Sequence, residues 1–204
     1  MTKSRLAIFA SGSGTNAEEI IRHFKQHDKT EVSLILSNNA NAYVLERAKK
    51  FNVPTKVFTR EQFTAGTTSR NGNIEVLQWL KEKDITHIVL AGFMWLMPEN
   101  IIQQYPNKII NIHPALLPKF GGKGMYGHHV HEAVKAAGEK ETGITIHLVN
   151  EKYDEGKILF QAACPVSTDD SPEDIANKVH ALEHQHYPEQ IEKWIILNID
   201  GHKP

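Results

Sequence analysis

Leu6-Ala7-Ile8-Phe9-Ala10-Ser11-Gly12-Ser13-Gly14-Thr15-Asn16-Ala17 is the stretch on which the fold turns. Five consecutive apolar residues read as a first strand, and Gly12-Ser13-Gly14 reads as a tight turn. Ile20, Ile21 and Phe24 then recur at helical spacing. Strand, turn and helix in this order match G-x-G-x-x-A in the context that gives the pattern meaning. Glycines let the backbone come close to a ligand, and the unpaired N–H groups at a helix start favour an anion such as a phosphate. A dinucleotide site would need an acidic residue about 20 positions on to hold a ribose, where the chain reads Ser37-Asn38-Asn39. No Gly-Lys-Ser/Thr follows either, which disfavours a nucleotide triphosphate. A tight turn without a ligand is the alternative that the pattern leaves open.

Outward from this turn, short β-prone runs alternate with segments of helical period, the mark of strand-helix-strand units on a parallel sheet. Strands are expected near 5–10, 31–37, 55–58, 86–91 and 107–112, and helices over 15–27, 42–51 and 71–83. Val44, Leu45 and Ala48, then Ile74, Leu77 and Leu80, supply the apolar stripes of the second and third helices. Beyond Pro118 come a glycine-rich loop, a helix near 128–137, strands near 143–150 and 157–166, and a helix from the Ser171-Pro172-Glu173-Asp174 cap to about 196. The last two strands are close enough to form a hairpin. The expected fold is therefore α/β, a Rossmann-like doubly wound, mostly parallel sheet with an antiparallel C-terminal strand pair, in a single domain spanning 1–204.

Composition narrows the function. Lys and Arg number 23 against 24 Asp and Glu, so no overall basic field would hold a nucleic acid or an anionic membrane. Any anion must be gripped locally. Hydrophobic residues at 40% suit a globular core. The longest apolar run, Ile88 to Met97, is too short to span a membrane. The single cysteine, Cys164, lies in an apolar run, reads as a buried thiol and fits a reducing, cytoplasmic setting.

The fifth strand ends Ile109-Ile110-Asn111-Ile112-His113-Pro114, and period-two alternation puts Asn111 and His113 on one face at its carboxyl end. That edge is where open α/β sheets bind ligands. An amide beside an imidazole suits an oxyanion developing from a carbonyl. A second polar group is Thr145-Ile146-His147 leading into a loop with Asp154, which on spacing alone reads as a turn residue. Eight of the twelve histidines lie between 113 and 186. His180-Ala181-Leu182-Glu183-His184 matches H-x-x-E-H, but only twenty residues follow to supply a third zinc ligand. No metal is expected.

Together, Gly12-Ser13-Gly14-Thr15-Asn16, Leu90-Ala91-Gly92-Phe93-Met94, Asn111-Ile112-His113-Pro114-Ala115-Leu116-Leu117-Pro118, Gly143-Ile144-Thr145-Ile146-His147 and Asp154-Glu155-Gly156 resemble the phosphoribosylglycinamide formyltransferase family in order and spacing. The resemblance implies transfer of a formyl group from 10-formyltetrahydrofolate, as co-substrate, to the amine of 5-phosphoribosylglycinamide in purine synthesis. It implies a catalytic set of Asn111, His113 and Asp154, supported by Thr145 and His147, and a substrate-phosphate loop of Gly12, Ser13, Gly14, Thr15 and Asn16. Glu183 would hold the ribose, and Phe93, Met94, Trp95, Leu96, Met97, Asn111, Glu151, Tyr153 and Asp154 the folate. The phosphate half would cover about 1–105 and the catalytic and folate half about 106–204. Trp95 stands where arginine is common in the family, and either Arg60 or Arg70 could reach the folate glutamate. A monomer or weak homodimer is expected, with His113 protonated and held so by Asp154.

Overall fold

The computed structural model describes residues 3–64 and 75–199. Two compact units divide the chain, Met1–Ile109 and Ile110–Pro204. In the first, β1 (Ser4–Phe9) leads through α1 (Thr15–Phe24) to β2 (Thr30–Ser37), and α2 (Val44–Lys50) leads to β3 (Thr55–Val57). The chain continues through α3 (Arg60–Thr64), α4 (Glu75–Glu82), β4 (His87–Leu90) and α5 (Glu99–Gln104). β1 pairs in parallel with both β2 and β4, and β2 with β3. Leu6 to Ala10 are wholly buried, as a central parallel strand requires when helices cover both faces. Phe9, Phe58, Phe63 and Phe93 pack ring against ring with centroids 5.0–6.2 Å apart. The short helices α3 and α5 were not legible as separate elements, because each is a turn or so long and carries too few apolar residues to set a period.

The second unit holds β5 (Ile109–His113), which starts at the boundary, then α6 (His128–Ala136), β6 (Glu141–Leu148), β7 (Ile158–Pro165) and α7 (Pro172–Ile199). The antiparallel region is wider than a terminal hairpin, since β6 runs against both β5 and β7. The strand order β3-β2-β1-β4-β5-β6-β7 bears out the α/β, mostly parallel sheet. α7 opens with a reciprocal cap: Ser171 Oγ accepts the Asp174 N–H at 3.1 Å and Asp174 Oδ2 accepts the Ser171 N–H at 2.9 Å.

In the first unit the strand order reverses between β1 and β4. The loops leaving their carboxyl ends are Gly12–Asn16 and 91–97, and this switch point is where a doubly wound sheet opens a crevice. The two loops are tied: Ser11 N–H donates to Gly92 O at 3.0 Å, and Ser11 Oγ accepts the Met94 N–H at 3.1 Å.

Two buried histidines give the fold a pH dependence. Burial, helped by the charge of Lys108, pushes His87 down to about 4. Burial, helped by His180, His128 and His113, does the same to His131, also to about 4. Unfolded histidines titrate near 6.5, so between pH ~6.5 and ~4 the unfolded chain binds protons that the folded chain refuses. Stability therefore falls as pH drops through this window, by up to ~1.4 kcal/mol per pH unit for each histidine. Urea unfolding at pH 7.0 and 5.0 should show the loss, and His87→Gln or His131→Gln should flatten the slope; a slope unchanged in both variants would contradict it.

Candidate active site

The register of β5 on β6 builds the centre of the second unit. Asn111 stands opposite His147, and His113 opposite Thr145. Directly opposed residues project to the same face, so four polar side chains meet in one strip, with His113, Thr145 and His147 buried and Asn111 half-buried. Asn111 Nδ2 lies 3.2 Å from His147 Nε2. Asp154 enters from the loop after β6 with φ 56°, in the left-handed region that a non-glycine residue occupies at a cost. Its Oδ1 is 3.5 Å from both Asn111 Nδ2 and His147 Nε2, and its Oδ2 is 3.5 Å from His113 Nδ1. The Gly122 N–H donates to the same Oδ2 at 2.9 Å. The expected set of Asn111, His113, Asp154, Thr145 and His147 is thus one cluster.

Carbonyl partners decide which ring nitrogens carry protons. His113 Nε2 is 2.7 Å from the Phe120 carbonyl, which can only accept, so Nε2 is protonated and Nδ1, facing Asp154, is the nitrogen that titrates. Likewise His147 Nδ1 donates to the Leu148 carbonyl at 2.8 Å, which leaves Nε2 to accept the Asn111 N–H in the neutral ring. Burial holds His113 below the ordinary histidine range; Asp154 and the Phe120 carbonyl push the other way without prevailing, and His147 adds to the lowering. The ring at neutral pH is therefore mainly the neutral imidazole. This corrects the expectation of a protonated His113: the carboxylate is present, but with His113 only 3% exposed, desolvation of the cation outweighs it. Burial raises the Asp154 carboxyl, yet His147, His113 and the Gly122 N–H together hold it below the usual carboxylate range.

Behind the cluster, the Thr145 hydroxyl is fully buried and fully used. It donates to Ala115 O at 2.7 Å and accepts from Leu117 N–H at 3.0 Å and Gln161 Nε2 at 2.9 Å. Gln161 also donates to Leu117 O at 3.1 Å. These bonds fix the turn that follows His113. A Cβ at Gly156 would sit 1.6 Å from the Leu148 carbonyl, the acceptor that sets the His147 tautomer, so only glycine fits there.

In the first unit, Gly14 caps α1 with φ 74°, and a Cβ there would lie 2.4 Å from Val44 Cγ2. Both facts require glycine at the centre of the expected phosphate turn. Of the residues expected at the folate, Met94 is 46% exposed, Phe93, Trp95 and Leu96 are half-buried, and Met97 is buried in the core. Trp95 packs against Phe58 and Phe63, and the Arg60 guanidinium lies over its ring, 4.4 Å from the centroid. Arg70 falls outside the described residues. In the second unit Glu151 is exposed, Tyr153 is half-buried, and Glu183 on α7 is 6% exposed beside Tyr187, whose phenol burial and the Glu183 charge push up. Cys164 is half-buried, with its thiol raised by burial.

Among the described residues no group of three or more His, Cys, Asp and Glu side chains is arranged to hold a metal, and no helix is long and apolar enough to cross a membrane. The Phe120 carbonyl, the Gly122 N–H and Gln161 were not legible as site residues. The only signal for the first two was the glycine-rich composition after Pro118, and Gln161 carried none.

The Formyl transferase family pattern matches residues 4–191. The chain is 37% identical over 190 residues to the chloroplastic phosphoribosylglycinamide formyltransferase of Arabidopsis thaliana, covering 93% of this chain and 64% of that protein, so it spans less than two thirds of that relative. It is 36% identical over 200 residues to the phosphoribosylglycinamide formyltransferase of Bacillus subtilis, covering 98% of each. The crystal structure of phosphoribosylglycinamide formyltransferase from Bacillus halodurans superimposes with a TM-score of 0.82 at 39% identity, over 95% of both chains. With this agreement along the whole length, and with the Asn111, His113 and Asp154 cluster assembled in the fold these proteins share, the chain belongs to the phosphoribosylglycinamide formyltransferase family.

Proposed function

We propose that the protein transfers the formyl group of 10-formyltetrahydrofolate to the amine of 5-phosphoribosylglycinamide. The observation that carries this reading is the Asn111, His113 and Asp154 cluster on the β5 end. A neutral amine attacking a formyl carbon forms one C–N bond and puts negative charge on the formyl oxygen. Asn111 holds one N–H on His147, while its contact with Asp154 at 3.5 Å is long. The second N–H is therefore the one an oxyanion would take.

The amine must lose a proton and the folate nitrogen must gain one as the old C–N bond breaks. His113 rests neutral with a lone pair at Nδ1, suited to accept the amine proton and to return it to the folate nitrogen as the old C–N bond breaks. The Asp154 carboxylate beside it stabilises the imidazolium that forms, which is a transition-state role rather than a ground-state one. Gly12, Ser13, Gly14, Thr15 and Asn16 take the substrate phosphate, and Glu183 the ribose hydroxyls. The half-buried aromatic Phe93 and Trp95, with exposed Met94 and half-buried Leu96, suit a flat heterocycle, and Glu151 and Tyr153 complete the residues assigned to the folate. Arg60 of α3, stacked on Trp95, supplies a cation beside the 93–97 segment.

The test is folate-dependent formylation of phosphoribosylglycinamide by the purified protein. Asn111→Ala and His113→Ala should each lower turnover by at least ~100-fold, the scale for losing an oxyanion donor or an acid/base group; near-normal turnover in either would refute the roles. Asp154→Asn removes the one charge that raises the His113 pKa, so that pKa should fall further. NMR titration of His113 reads this directly, and turnover should drop by at least ~100-fold with it. An unchanged His113 titration would show that Asp154 does not act on this ring by its charge.

A further inference from the structure

We infer that Arg47 is a positioning residue for the substrate phosphate: it orients the peptide planes of the Gly12–Asn16 turn so that their N–H groups face the anion. The inference rests on the reading of that turn as the phosphate loop. In a planar trans peptide the C=O of one residue and the N–H of the next point in opposite directions. A turn that offers N–H groups to an anion must therefore place its carbonyls behind it, where they need donors.

The structure provides both donors from α2. Val44 N–H donates to Gly12 O at 3.1 Å, which turns the Ser13 N–H the other way. Arg47 Nε donates to Ser13 O at 2.8 Å, which turns the Gly14 N–H the other way. Arg47 is itself held on two more sides. Its Nη1 pairs with Glu18 Oε2, and its guanidinium lies 5.0 Å from the centroid of the Tyr43 ring. Glu18, buried in the first turn of α1, would oppose an anion at that helix start were it not neutralised. Arg22, bonded to it at 2.6 Å, and Arg47 hold its carboxyl below the usual range. A guanidinium serves the carbonyl and the carboxylate at once because its N–H groups diverge in a fixed plane.

Ribose 5-phosphate binding, followed on the Ser13 and Gly14 amide resonances, separates this role from bulk charge. Arg47→Gln should weaken ribose 5-phosphate by at least ~10-fold and raise KM for phosphoribosylglycinamide in step, with kcat and the folate KM within ~3-fold. Arg47→Lys keeps the charge without the fork, so most of that loss should persist, and it carries the test if glutamine unfolds the unit. Arg22→Gln, which removes the other ion pair of Glu18 and a longer one to Glu19 but leaves the Ser13 carbonyl bonded, should bind as the wild type does. Normal binding by Arg47→Gln, full recovery in Arg47→Lys, or an equal loss in Arg22→Gln would overturn the role of Arg47. Failure of the wild type to bind ribose 5-phosphate would overturn it together with the phosphate reading of the turn, while formylation still decides the Asn111 and His113 reading on its own.

Discussion

The antiparallel register of β5 on β6 is the constraint from which the geometry of the Asn111, His113, Thr145 and His147 cluster follows. A shift of one residue would turn Asn111 and His113 to the opposite face and part them from His147 and Thr145. The register also carries Asp154, because the loop that bears it leaves the end of β6 and passes so close to the Leu148 carbonyl that a side chain at Gly156 would clash with it. The left-handed backbone at Asp154 is tolerated because its carboxylate is held by the Gly122 N–H and faces two histidines. A strained residue fixed from several sides is a usual sign that its position matters to function.

Burial and charge compete over His113. A carboxylate 3.5 Å away favours the imidazolium, but a ring that has lost nearly all contact with water pays more for carrying the charge alone. The result is a base whose conjugate acid becomes favourable only as negative charge builds nearby. In the proposed transfer, a ring in this state accepts a proton more readily than one already charged. The Phe120 carbonyl contributes by fixing which nitrogen is open.

The two units solve a shared problem by the same means. Reactive groups at a strand end are useful only if the backbone around them cannot drift. In the second unit the Thr145 hydroxyl and Gln161 hold the turn after His113. In the first, Val44 and Arg47 hold the carbonyls behind Gly12 and Ser13. In both cases the holding group comes from a neighbouring element, which packing has already fixed in place.

Local pattern was enough for the frame. The apolar run Leu6 to Ala10, the glycine turn before a helical stripe, and the alternation that puts Asn111 and His113 on one face are properties of a few neighbouring residues, so they are legible without the fold. Other features depend on partners distant in the chain. Gly122 meets Asp154 across 32 positions and Arg47 meets Ser13 across 34. No periodicity records such encounters. The lowered pKa of His113 has the same origin: Asp154 is visible in the sequence as a charge, whereas the loss of water around the ring is a sum over every element packed on it. Which polar residue types stand at the carboxyl ends of β1 and β5 is a local property of the chain, whereas the orientation and desolvation of Asn111, His113 and Asp154 are not, because burial and hydrogen bonding arise from contacts that exist only once the chain is folded.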